Sequence, residues 1–243
     1  MVKTAIFVEG QTELIFVREL LLRYFEYQNI RLECFHLAAE GNMKSAPHDF
    51  FVPDARFYFQ IISVGNDKAV LSNLLKREKS IWKSGFNRAI GLRDMYSEEY
   101  RNMADIREVL PTISEQFIAG YTEQIKTAAQ PENIFFRFAI METEAWLLAL
   151  PQVFESIDVR LSTKLIKENL GFDLDDIDPE AVFFHPANFV EQIFELIGRT
   201  YRKKEGDIEA LVSSLGKSDY QQLLCSGKCG SFKHFFETIP LSY

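Results

Sequence analysis

The sequence predicts an α/β protein with a mostly parallel central sheet flanked by helices and a helical C-terminal extension. Between Thr4 and Leu150 short apolar runs alternate with longer stretches of helical spacing, the pattern of parallel strands joined by crossover helices. The first run, Ala5-Ile6-Phe7-Val8, breaks off at Glu9-Gly10 as a buried strand does before a tight turn. From Pro151 onward the spacing is mainly helical, so residues 1–150 are expected to form the sheet domain and residues 151–243 a helical region packed on it.

After the first strand, Leu14, Ile15, Val17, Leu20, Leu21 and Leu22 mark an apolar helix that Thr12 is placed to cap. Residues 30–38 read as a strand through Leu32, Cys34 and Phe35, whereas residues 40–54, with Gly41, Pro47 and Pro53, read as a loop. A strand is expected over 56–64, a helix opened by Gly65-Asn66-Asp67 and running to about Lys79, and a strand over 87–92. Residues 97–129 read as a long helical stretch broken near Pro111, and residues 134–140 as a strand. Short amphipathic helices are expected over 161–170, 185–198, 205–215, 217–224 and 232–239. The acidic turn at 173–179 lacks the glycine and final glutamate of a calcium-binding EF-hand and reads as a capped loop.

The 243 residues are 47% hydrophobic, ample for a buried core. No apolar run approaches the roughly 20 residues of a membrane-spanning helix, and no signal-peptide pattern opens the chain, so a cytoplasmic protein is expected. Cys34, Cys225 and Cys229 are an odd set, and Cys225 and Cys229 have no second pair beside them, so they read as reduced thiols rather than a disulfide framework or a zinc site. A net charge of −8 argues against non-specific coating of nucleic acid. It does not exclude cleavage of nucleic acid at an acidic site whose cations neutralise it.

Three strand ends carry acids: Glu9, Asp94, and the pair Glu142 and Glu144. If those strands are parallel, these carboxylates share one edge of the sheet, the arrangement that can surround Mg²⁺ or Mn²⁺. Glu9 is the candidate base or ligand, and Asp94 a candidate ligand. On one helix Glu142 and Glu144 would point about 200° apart, so at most one is expected at the site unless the turn redirects them. Lys76, Arg77, Lys203, Lys204 and Lys233 are the candidate contacts to a phosphate backbone. His36, His48, His185 and His234 show no zinc-protease spacing, with His185 read as a residue that begins a helix. Neither a nucleophile elbow nor a phosphate-cradling P-loop is present, so ATP hydrolysis would require a partner.

The string Phe7-Val8-Glu9-Gly10-Gln11-Thr12-Glu13, followed by a long apolar helix, resembles the opening motif of Toprim domains, especially those of the overcoming-lysogenization-defect (OLD) nucleases. In that family the first glutamate is catalytic. Gly91-Leu92-Arg93-Asp94-Met95-Tyr96 and Met141-Glu142-Thr143-Glu144-Ala145-Trp146 are similar to the aspartate-bearing and glutamate-rich segments of an uncharacterised Toprim-like bacterial family. Tyr201 to Lys204 and Cys229 to Phe235 resemble its C-terminal segments. The resemblance implies a Toprim fold and a Mg²⁺-dependent nuclease of DNA or tRNA with Glu9, Asp94 and Glu144 as its catalytic residues. It also implies service in anti-phage defence beside an ATPase or sensor partner, with a homodimer as a further option. One departure stands out: Tyr96 occupies the place of the second acid of the family's Asp-x-Asp, which opens the alternative of a catalytically degenerate scaffold that binds a partner protein.

Overall fold

The apolar run at the N-terminus becomes the middle of a seven-stranded sheet in the computed structural model, which describes residues 1–38, 41–66, 68–104 and 107–241. In chain order the first half runs β1 (Val2–Val8), α1 (Gln11–Tyr24), β2 (Ile30–Leu37), β3 (Met43–Ser45), β4 (Phe50–Phe51), β5 (Phe57–Ser63), α2 (Ala69–Lys83), β6 (Arg88–Asp94), α3 (Glu98–Met103), α4 (Pro111–Ile125) and β7 (Ile134–Ala139). Helices then follow one another: α5 (Glu144–Leu148), α6 (Gln152–Ile157), α7 (Thr163–Leu170), α8 (Pro179–Val182), α9 (Pro186–Glu195), α10 (Glu205–Val212), α11 (Lys217–Cys225) and α12 (Gly230–Phe236).

The strand order is β3-β2-β5-β1-β6-β7, with β4 also on β2. β1 pairs in parallel with both β5 and β6, β2 with β5, and β6 with β7, while β3 and β4 run antiparallel to β2. Both faces are covered. Ile6 and Val8 point into a core shared with α1 and the C-terminal helices, and Ala5 and Phe7 into a second core with α2, α3 and α4. Burial on two sides is why β1 is apolar without alternation. The first core is continuous from Leu14 through Trp146 to Phe232 and Phe235, so the helices after Pro151 close over one face of the sheet.

Gly91 of β6 lies directly opposite Phe136 of β7, and a Cβ at this position would stand 2.4 Å from the Phe136 ring. No side chain fits there.

Several expectations shift. Thr12 is inside the first turn of α1 rather than its cap; Gly10 takes that position, and the Glu13 carboxylate accepts the Gly10 N–H at 2.8 Å, the reach-back half of a capping box. The loop expected over 40–54 contains β3 and β4, because β2 offers an open edge on which even short proline-flanked segments pair. The break expected near Pro111 is present between α3 and α4, and Pro111 itself begins α4, where its missing N–H costs nothing. α2 continues beyond Lys79 to Lys83, and α6 and α8 are additional short helices. Glu40 and Asp67 lie outside the described residues, as do residues 105 and 106 of the stretch read as helical. The 173–179 turn is a capped loop: Asp173 accepts the Asp175 N–H at 3.0 Å, and Asp178 that of Glu180 at 3.2 Å. Among the described residues no helix is long and apolar enough to cross a membrane.

Candidate metal centre

From β1 the chain passes to β2 on one side and later returns to β6 on the other, so the sheet's direction of winding reverses between β1 and β6. Ligands of open α/β sheets gather outside the strand ends at such a reversal. Glu9 directly follows β1 there, and Asp94 is the last residue of β6. Beside them the ladder continues past the strands, with Met95 N–H donating to Ala139 O at 3.0 Å and Tyr96 N–H to Met141 O at 2.7 Å.

Met141 then takes a left-handed φ of 60°, and Glu142 N–H closes a tight turn on Ile140 O at 3.0 Å. Glu142 therefore sits before the helix and Glu144 begins it, so the opposed directions of a shared helix do not apply. The turn thus redirects the pair, the one case in which both were expected at the site: Asp94, Glu142 and Glu144 each present an oxygen, all within 4.8 Å of one another, and all three residues are buried.

Each oxygen's partners are specific. Asp94 Oδ1 accepts the Thr143 N–H at 3.0 Å, and Glu142 Oε2 that of Ala187 at 2.9 Å. Glu144 Oε1 accepts the Tyr201 hydroxyl at 2.7 Å. Lys203 Nζ bridges the pair, 2.5 Å from Glu142 Oε1 and 3.2 Å from Glu144 Oε1. Among the described residues the fully buried Glu144 Oε2 has no hydrogen-bond partner.

The electrostatics show strain from surplus negative charge. Burial, reinforced by Glu13 and also by Glu9 and Glu144, holds Asp94 well above the usual carboxylate range. Burial and Glu144 raise Glu13 likewise. Burial would raise Glu142 too, but the hydrogen bonds from His185, Ala187 and Lys203 outweigh it, and its net shift is downward. For Lys203 burial acts against the charged form, yet Glu144, Asp94 and Glu142 overcome it and the ammonium is held more firmly than in water. Buried acids that repel one another around one lysine, with a buried oxygen left over, fit a hard divalent cation with oxygen ligands.

Tyr96 lies at the rim, its ring stacked on His185 with centroids 4.3 Å apart, while His185 Nε2 is 3.5 Å from Glu142 Oε1. His185 is also the residue that begins α9, as expected. Of the basic candidates, Lys203 is in the acidic cluster. Lys204 is exposed next to it, Lys76 and Lys233 are exposed on α2 and α12, and Arg77 is engaged with Asn73 and Gly41 O on α2. Glu13, Tyr201 and the bridging role of Lys203 were not legible beforehand. Only the four-residue spacing of Glu9 and Glu13 across a glycine turn hinted at the first.

A second cluster of potential ligands, Asp178, Glu180 and Cys229, lies behind Trp146. Here the oxygens of Glu180 are occupied: Oε1 by Trp146 Nε1–H at 2.8 Å and by the Ser231 hydroxyl, Oε2 by the Ser231 N–H at 3.1 Å. Asp178 Oδ1 accepts the Cys229 N–H at 3.1 Å, and the Cys229 thiol faces Ala145 O at 3.5 Å. Burial raises the Glu180 carboxyl to about 7. Cys225 is exposed and takes no part.

A family profile described as a domain of unknown function, DUF4276, matches residues 8–239. No curated protein and no solved structure matches the chain.

Proposed function

The chain belongs to the DUF4276 family, and from its buried acidic cluster we propose that it is a divalent-metal-dependent nuclease hydrolysing DNA or RNA phosphodiesters. The observation that carries this reading is the fully buried Glu144 Oε2, without a partner among the described residues, beside two further buried carboxylates. A buried polar oxygen without a partner is costly, and a cation is the partner its charge calls for.

Asp94, Glu142 and Glu144 would hold Mg²⁺ or Mn²⁺, which when bound supplies Lewis-acid polarisation of the phosphate and an acidified water. Glu9, close enough to Asp94 to raise its pKa, is the base that accepts the proton of the attacking water. The exposed Arg202 and Lys204 face outward next to the cluster and would meet the substrate backbone. With a net charge of −8, tight binding calls for a partner that brings basic surface. The Toprim resemblance supports an ATPase in that role, in defence against phage.

A second reading is favoured by Lys203, which already neutralises two of the three carboxylates, and by Tyr96 in place of a second acid. In it the cluster is an ionic knot within a scaffold that binds a partner protein. Incubating plasmid DNA and total tRNA with wild type and Glu9→Ala in Mg²⁺, Mn²⁺ or EDTA, with and without an ATPase encoded alongside, separates the two. The nuclease reading expects metal-dependent cuts that vanish in the variant. Intact substrate in every combination, with folded protein, turns the conclusion to the scaffold.

A further inference from the structure

Between α9 and α10 the chain passes the acidic cluster as a short irregular strap. Its inner residues, Tyr201 and Lys203, reach the carboxylates, while Arg202 and Lys204 face solvent. Tyr201 anchors the strap through its buried ring, whose centroid is 5.8 Å from that of Phe194, and through its bond to Glu144, while Arg202 to Lys204 are held more lightly. Thr12 Oγ1 donates to Lys203 O at 3.3 Å, and Asp207 Oδ2 accepts the N–H groups of Arg202 at 2.9 Å and Lys204 at 3.3 Å. Lys203 itself takes a left-handed φ of 53°, a conformation unfavourable for a residue with a side chain.

We propose that Lys203 is a tethered counter-cation that occupies the metal position, and that divalent-metal binding expels it and releases the 202–204 end of the strap. This rests on the metal reading of the cluster and adds the way that site is regulated. The lysine's ammonium sits on Oε1 of both Glu142 and Glu144, two of the three acids whose ligand oxygens lie within 4.8 Å of one another. Two cations drawn to one pair of oxygens repel each other at short range. The lysine is bound intramolecularly, so it sets a concentration threshold below which the ion does not enter. When it leaves, the strain at its own backbone is relieved and the Thr12 bond is broken. Lys203 swings outward to join Arg202 and Lys204, so the expelled charge lands where a phosphate backbone would lie. Metal entry and substrate capture thus become one event.

The test uses the intact wild-type chain. Isothermal calorimetry first measures Mg²⁺ and Mn²⁺ binding to wild type and Lys203→Met, and hydrogen exchange then follows the 202–204 amides with and without saturating metal. The proposal expects exchange in the strap to speed up on metal binding, by about tenfold if the closed form holds ~90% of the metal-free protein. It expects Lys203→Met to bind metal about tenfold more tightly on the same arithmetic. A strap that exchanges at the same rate or more slowly while calorimetry records bound metal overturns the gate and leaves the metal centre standing. Binding by Lys203→Met alone supports the gate in its strongest form. Absence of binding by both proteins overturns the metal reading, and the gate with it.

Discussion

Among the described residues two clusters present three potential metal ligands within 4.8 Å, the buried acids at the strand ends and Asp178, Glu180 and Cys229 behind Trp146. Around Glu180 the donors match the acceptors: an indole, a hydroxyl and a backbone amide take up its oxygens. Around Asp94 the bonds from Thr143, Ala187, Tyr201 and Lys203 leave the set open, and Glu144 keeps an oxygen with no partner among the described residues. Proximity of carboxylates is common to both. What separates a staple from a site is whether the hydrogen bonds close.

The widest split between the clusters is expected from Glu144→Gln. Losing a ligand to the cation should reduce cleavage by about 1,000-fold, ~4 kcal/mol of barrier. The melting temperature should hold or rise, because one member of a mutually repelling set becomes neutral. A fall in melting temperature with cleavage intact would make this cluster a staple too.

Next in size is the pH response of the other cluster. The folded protein keeps its proton on Glu180 up to about 7, while the unfolded chain releases it near ~4.3. Folding stability contributed by this group therefore falls as pH rises from ~4.3 to about 7, by about 4 kcal/mol in all. Glu180→Gln should flatten denaturant-derived stability across that window and leave cleavage unchanged; an unaltered slope would refute the assignment. The smallest effect is expected from Ser231→Ala, which strands the Ile140 N–H and takes the hydroxyl donor from Glu180 Oε1, while the Trp146 indole keeps its bond to Glu180. A loss of ~2 kcal/mol in urea unfolding at unchanged cleavage is expected, and a loss of cleavage would tie this cluster to the chemistry.

The same contrast marks how far the sequence could be read. Glu9 and Asp94 were visible because each ends an apolar run, and parallel strands place such ends together. The joint presence of Glu142 and Glu144 was hidden by the left-handed turn at Met141, since an ideal helix sends them apart. Tyr201 and Lys203 reach Glu144 from 57 and 59 residues further along, a distance no local pattern encodes. The short β3 and β4 were masked by prolines and glycine, and their pairing depends on an edge supplied by β2. The Glu180 cluster joins α8, α12 and Trp146, so its closure exists only in the tertiary structure.

Gly91 carries no functional group, yet its missing side chain locks the alignment of β6 on β7. The Phe136 ring fills the space above it, and a slip of one residue would press that ring against Ile90 or Leu92 instead. Such a slip would carry Asp94 about 3.3 Å along the ladder, more than ten times the ~0.2 Å tolerance of a coordination bond. The gap at Gly91 thus acts as a detent for the whole centre. A screen for loss of function should return this glycine among the acids although it touches none of them.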